Sequence, residues 1–255
     1  MEGDAWRPDP TSPVGFVESD FENDLEPSDL EAAGTSVVSG PPAEVLEADP
    51  STIVAVGDSA VAAVADAKPD VPVLPVCDVP GIAAVDPNDV VGALESVFRG
   101  DGHLRTNPVL VVETPSGNSE RALFDVALVT AEPAQISEYS VSSREESVAQ
   151  FRADGVVAAT PAGSHGYAET IDGPLLSTAV EGVVVVPIAP FVTQTCRWVL
   201  PNDGVALSVE RDQPPVVLCV DDRTVERISA GERVSITADG TLSTVVIPES
   251  TDERG

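Results

Sequence analysis

Two short stretches carry the residues best suited to chemistry. The first is Thr160-Pro-Ala-Gly-Ser-His-Gly-Tyr167, where the hydroxyls of Thr160, Ser164 and Tyr167 are interleaved with Gly163 and Gly166. Hydroxyls and glycine-exposed amides of this kind can hold a ribose or a phosphate. His165 binds an anion when protonated, although an exposed loop histidine without a role is the plainer expectation. The second stretch is Gly57-Asp58, directly after the apolar run Ile53-Val56. A strand-to-helix turn there, with Asp58 capping a helix over residues 59–66, accounts for both residues. A Ser-His-Asp hydrolase is not supported. Ser164 and His165 are adjacent in the chain, so their side chains are not expected to converge, and no G-x-S-x-G elbow occurs.

The elements that position these stretches follow from apolar periodicity. The first half alternates short strands and helices: Val14-Glu18, a helix over Asp29-Ala33 ending at Gly34, then Thr35-Ser39, Ile53-Val56 and Val71-Val76. That order predicts a parallel, Rossmann-like sheet. The clearest helix is Asp86 to Arg99. Asp86 is its N-cap and Pro87 its first residue, Val90, Val91, Leu94, Val97 and Phe98 share a face, and Gly100 ends it. From about residue 107 strands follow one another with almost no helix: Val109-Glu113, Ala122-Val129, Ile136-Val141, Ser147-Arg152, Val156-Ala159, Val183-Ile188, Val205-Glu210, Val216-Val220 and Arg233-Thr237. The expected organisation is a polar or acidic disordered tail over 1–12, an α/β domain over 13–106, a β-rich domain over 107–238, a C-terminal strand over 239–248 and a disordered tail over 249–255.

Composition excludes several classes. With 255 residues and 42% hydrophobic content the chain can bury a sizeable core. No apolar run approaches the roughly 20 residues of a membrane helix, and the N-terminus lacks signal-peptide features, so a cytoplasmic protein without membrane partners is expected. Forty-three acids oppose 13 bases, giving a net charge of −30, with Lys68 the only lysine. Such a surface repels nucleic acid. Its self-repulsion is mostly screened at about 1 M salt, where the Debye length is about 3 Å, so a halophilic cytosol fits best. Cys77, Cys196 and Cys219 are odd in number, widely spaced and set in apolar stretches. Buried, inert thiols are expected rather than a disulfide framework or a zinc site.

Four segments, in order, resemble the NAD kinase family. Arg152-Ala-Asp-Gly-Val-Val-Ala-Ala-Thr-Pro-Ala-Gly-Ser-His-Gly-Tyr167, followed by Asp172-Gly-Pro174, is similar to the family signature DGxxxxTPTGSTAY followed by GGP. Val184-Val-Val-Pro-Ile-Ala-Pro190 resembles the strand ending in TPICPH, with Val199-Leu-Pro201 like the strand after it. Arg121-Ala-Leu-Phe-Asp-Val126 resembles ALNEV or ALNDV, and Val54-Ala-Val-Gly-Asp-Ser-Ala60 lies where the family has GGDGT. The resemblance covers roughly residues 50–247. It implies a Rossmann-like α/β domain followed by a β-sandwich-like domain, with ATP and NAD bound between them. It also implies transfer of the γ-phosphoryl group of ATP to the adenosine ribose 2′-hydroxyl. Phosphoryl transfer needs positioning and charge neutralisation. The resemblance gives Asp58 the roles of base and of contact to Mg2+ or Mn2+. It gives Gly57 and Ser59 a phosphate role, and Asp125, Thr160, Gly163, Ser164, His165 and Tyr167 the binding of NAD(H). The family's oligomers imply a homo-oligomer or a mixed oligomer with a paralogue.

The departures from the family pattern are specific. Val56, Ser59 and Ala60 replace the other residues of GGDGT, and Ser59 would cost roughly 1–2 kcal/mol if its backbone required positive φ. Phe124 replaces an asparagine; its ring can stack on a base or fill the pocket with core, and filling is the expected role. Ala162, His165 and Gly166 differ from the signature. Asp222 stands in Cys219-Val-Asp-Asp-Arg223 where VDGQ has glycine, and the chain ends as the strand Ser243-Ile247 and an acidic tail. A catalytically impaired NAD(P)(H)-binding homologue, acting as sensor or regulatory partner, is the alternative to a working kinase.

Overall fold

The computed structural model describes residues 6–18, 25–132, 134–192, 196–211 and 214–248. The tail over 249–255 and residues 1–5 of the N-terminal tail lie outside the described residues. Contacts divide the chain into one compact unit formed by the described part of 1–107 with 241–255, and another formed by Pro108–Gly240.

The first unit is built on β1 (Val14–Glu18), α1 (Pro27–Leu30), β2 (Val37–Ser39), α2 (Pro42–Glu47), β3 (Thr52–Val56), α3 (Asp58–Asp66), β4 (Val73–Val76) and α4 (Val90–Arg99). Its strands run parallel, as the sequence predicts, and lie in the order β2-β1-β3-β4. β3 and β4 are buried along their whole length, which is why they read as unbroken apolar runs. Gly15 permits the close approach of α2: a Cβ there would lie 2.5 Å from Val45 Cγ1. Asp86 caps as expected, its Oδ1 accepting the Asn88 amide at 2.9 Å, and Gly100 ends α4 at φ 89°. Between cap and helix, Pro87–Asp89 form a 3-10 turn. The helix predicted over 29–33 is instead α1 plus a 3-10 turn at Glu31–Ala33, and α2 was not predicted because Gly-Pro-Pro reads as a loop.

The second unit contains β6 (Ser119–Ala122), β7 (Asp125–Thr130), β8 (Ser137–Ser143), β9 (Glu146–Ala153), β10 (Gly155–Ala159), α5 (Tyr167–Thr170), β11 (Gly182–Ile188), β12 (Trp198–Pro201), β13 (Val205–Val209), β14 (Val216–Val220) and β15 (Arg223–Ile228). The chain passes between units within β5 (His103–Glu113) and again within β16 (Arg233–Val246). One antiparallel sheet has the order β12-β11-β10-β7-β14-β15, and β13 pairs with β8 and β16 in the other. Their inner faces share one core, with Val126, Val156, Val185 and Leu218 meeting Tyr139, Val141, Leu207 and Ile236. This is the expected β-sandwich-like arrangement.

Three sequence expectations are corrected here. The strand over Ala122–Val129 is broken at Leu123-Phe124, giving β6 and β7. The strands expected over 233–237 and 239–248 join into one, β16, which ends at Val246 and whose Gly240 has φ 92°. The cysteines are not buried core: Cys77 and Cys219 are half-buried and Cys196 is exposed. Cys219 falls on the outward alternation of β14, and Cys196 lies outside regular structure. No helix of the described residues is long and apolar enough to cross a membrane.

Candidate functional site

In the first unit, β3 ends at Val56 and the chain turns into α3 through Gly57, at φ 87° and ψ 160°. A side chain there would be strained, so Gly57 is required by the turn itself. Ser59 is helical, and the expected φ penalty at that position does not arise. The helix is capped by Gly57 rather than by Asp58, which is its first residue. Asp58 Oδ1 accepts the Ser59 amide at 2.7 Å, removing one of the first-turn donors that a helix start leaves for a ligand. Asp58 Oδ2 accepts no hydrogen bond among the described residues.

This turn borders a cleft of about 620 Å³ lined by Phe16, Glu18, Glu26, Ser39, Ser59 and Ala60, among others. The strand order reverses between β1 and β3, so the cleft lies beyond the carboxyl ends of the strands, at the switch point where ligands bind in open α/β sheets. No group of three or more His, Cys, Asp or Glu converges among the described residues. The single carboxylate of Asp58, with one oxygen free, fits a magnesium-type ion, which takes one or two carboxylates and completes its shell with phosphate oxygens and water.

In the second unit, the predicted residues gather where β7 begins and β10 and β14 end, with Asp125 opposite Ala159 and Val126 opposite Val220. Thr160 and Ser164 are fully buried. Thr160 Oγ1 donates to Leu123 O at 2.7 Å and accepts the Gly163 amide at 3.0 Å. Ser164 Oγ donates to Pro161 O at 2.7 Å and accepts the Leu176 amide at 2.9 Å. Both hydroxyls expected to reach a ligand are therefore engaged in shaping the loop. Gly163 is a steric requirement, since a Cβ there would lie 2.0 Å from Phe124 O. His165 is exposed, as expected of a loop histidine, and Tyr167 is 47% exposed. Phe124 is half-buried.

The electrostatics centre on Asp125. Burial, followed by the charges of Asp221 and Asp222, pushes its carboxyl up to about 7. Burial and then the charges of Asp125 and Asp154 raise the Tyr167 hydroxyl. Asp221 was not singled out by sequence. Its Oδ2 accepts the Leu123 amide at 2.6 Å, and its Oδ1 accepts those of Phe124 and Asp125 at 2.8 and 3.0 Å. Burial raises the Asp221 carboxyl, opposed by those three amides. The available signal was Asp-Asp directly after the strand-like run Val216-Val220; in the structure it is a hairpin turn in which both residues take positive φ, 43° and 64°.

Residues 123–247 match the family model of the ATP-NAD kinase C-terminal domain. The chain is 33% identical over 153 residues to NAD kinase of Methanosarcina acetivorans, covering 60% of this chain and 55% of that protein. It is 33% identical over 158 residues to NAD kinase of Methanothermobacter thermautotrophicus, covering 60% and 54%. The matches thus span about half the length of these curated relatives. In fold the chain is similar to an NAD kinase from Archaeoglobus fulgidus solved in complex with ATP, with TM-score 0.78, 19% identity and coverage of 93% of this chain and 95% of that one. It is also similar to yeast NADH kinase complexed with NADH, with TM-score 0.79, 15% identity and coverage of 96% and 85%.

Proposed function

From the premise that this chain belongs to the NAD kinase family through residues 123–247, we propose that it is an ATP-dependent NAD kinase of a halophilic cytoplasm. It phosphorylates the adenosine ribose 2′-hydroxyl of NAD to give NADP. The observation that carries this reading is the loop 160–167: it keeps the residues that shape it, Thr160, Gly163 and Ser164, while Tyr167 stands partly exposed at its end.

In this reading Asp125, Tyr167 and His165 contact the dinucleotide, and Thr160, Gly163 and Ser164 hold the loop that presents them. Gly57 and the first turn of α3 face phosphate in the first unit. Asp58 takes the proton of the ribose 2′-hydroxyl as its oxygen bonds to the γ-phosphorus and the bond to ADP breaks. Mg2+ or Mn2+, held through Asp58, would supply neutralisation of the phosphate charge. Assembly as a homo-oligomer, or with a paralogue, belongs to the same proposal.

The test is NADP formation by the purified protein in multimolar KCl with Mg2+, ATP and NAD. Accumulating NADP supports a kinase. No NADP, while NAD still binds, replaces this reading with a non-catalytic dinucleotide-binding homologue.

A further inference from the structure

The break between β6 and β7 bends Leu123, Phe124 and Asp125 into a turn whose three consecutive amides point to one acceptor group. Asp221, at the tip of the β14–β15 hairpin, receives all three through its two carboxylate oxygens. Its own amide donates back to Asp125 O at 3.1 Å. The carbonyls of the turn are held from another side, Leu123 O by Thr160 Oγ1 at 2.7 Å and Phe124 O by the Thr160 amide at 2.8 Å. The turn is thus fixed along both its donor and acceptor edges by residues distant in sequence.

We propose that Asp221 is a positioning residue for the dinucleotide site: by accepting the three amides of Leu123–Asp125 it sets where Phe124 and Asp125 present their side chains to NAD. The inference rests on the reading of that site given above. A carboxylate suits the task because one oxygen takes two amides while the other takes the third, and charge-assisted bonds to backbone amides are short and strong. Asp222, its neighbour in the turn, is exposed and accepts no hydrogen bond among the described residues, so it carries the same charge without the clamp.

The test compares Asp221→Asn with Asp222→Asn in multimolar KCl at mildly alkaline pH, above the titration of Asp125. NAD affinity is read by calorimetry and exchange of the Leu123, Phe124 and Asp125 amides by NMR. Asp221→Asn turns a donor toward the Leu123 amide. The expected result is a Kd for NAD raised about tenfold or more, with exchange of the three amides faster by a similar factor, while Asp222→Asn stays within about twofold of the parent. A folded Asp221→Asn protein that matches Asp222→Asn in both readouts overturns the proposal. If the parent binds no NAD, the reading of the site fails, and the amide exchange alone decides whether Asp221 holds the turn. If Asp221→Asn does not fold, the parent decides: three amides exchanging as fast as an open loop contradict the clamp.

Discussion

The α-carbon of Gly163 packs so closely on the backbone of Phe124 that a Cβ would lie 2.0 Å from the Phe124 carbonyl oxygen. The same carbonyl accepts the Thr160 amide at 2.8 Å, so it cannot retreat without breaking a buried bond. Gly163→Ala is therefore expected to destabilise the protein by about 1–3 kcal/mol and to abolish NAD binding. Thermal unfolding and calorimetry in the same KCl buffer check it. An unchanged melting temperature would mean that the loop yields freely.

Asp125 links the site to pH. Its folded-state value of about 7 lies above the ordinary aspartate value, so the native state binds the extra proton across the interval between them. Its contribution to stability is fully present below the unfolded value and is lost as pH rises through about 7. Asp125→Asn should leave stability near pH 4 little changed and raise it above pH 7 by on the order of 2 kcal/mol. Unfolding midpoints across this range test the sign: a parent that grows more stable as pH rises through 7, relative to the variant, refutes the assignment.

Asp222 occupies the left-handed region at φ 64° where the family pattern has glycine. Asp222→Gly relieves that strain, partly offset by the greater freedom of glycine in the unfolded chain, for a net gain of about 0.5–1 kcal/mol. It also removes one of the charges that raise Asp125. The carboxyl of Asp125, followed by NMR, should titrate at lower pH in the variant than in the parent.

The net charge of −30 predicts a salt requirement. Self-repulsion and repulsion of anionic nucleotides both fall as ionic strength rises, so the melting temperature and NAD affinity should increase into the molar KCl range. Tighter binding at low salt, by protein shown to be folded there, would contradict this.

What the sequence made legible was set by local pattern. The buried parallel strands read as apolar runs, and Asp86, Pro87 and Gly100 marked the limits of the helical segment around α4. The turn at Leu123-Phe124 was hidden because its neighbours are apolar and the acceptor that holds it, Asp221, lies 98 residues away from Leu123. Thr160 and Ser164 were legible as hydroxyls, but not the direction they face, which neighbouring carbonyls and amides decide. Asp222 looked like the loss of a glycine. It keeps the left-handed backbone, at φ 64°, which aspartate tolerates better than most residues. β15 went unread because Arg223, Glu226 and Arg227 place a charged edge strand against an apolar neighbour.

The most direct test of the central claim is a single-turnover assay that follows the γ-phosphate of ATP into NADP, with the parent and Asp58→Asn compared in multimolar KCl. A base and metal contact at Asp58 predicts transfer by the parent and a loss of at least about 100-fold in the variant, with NAD affinity kept within a few fold. Equal rates in the two proteins, or no transfer by either while both bind NAD, would contradict a kinase working through Asp58.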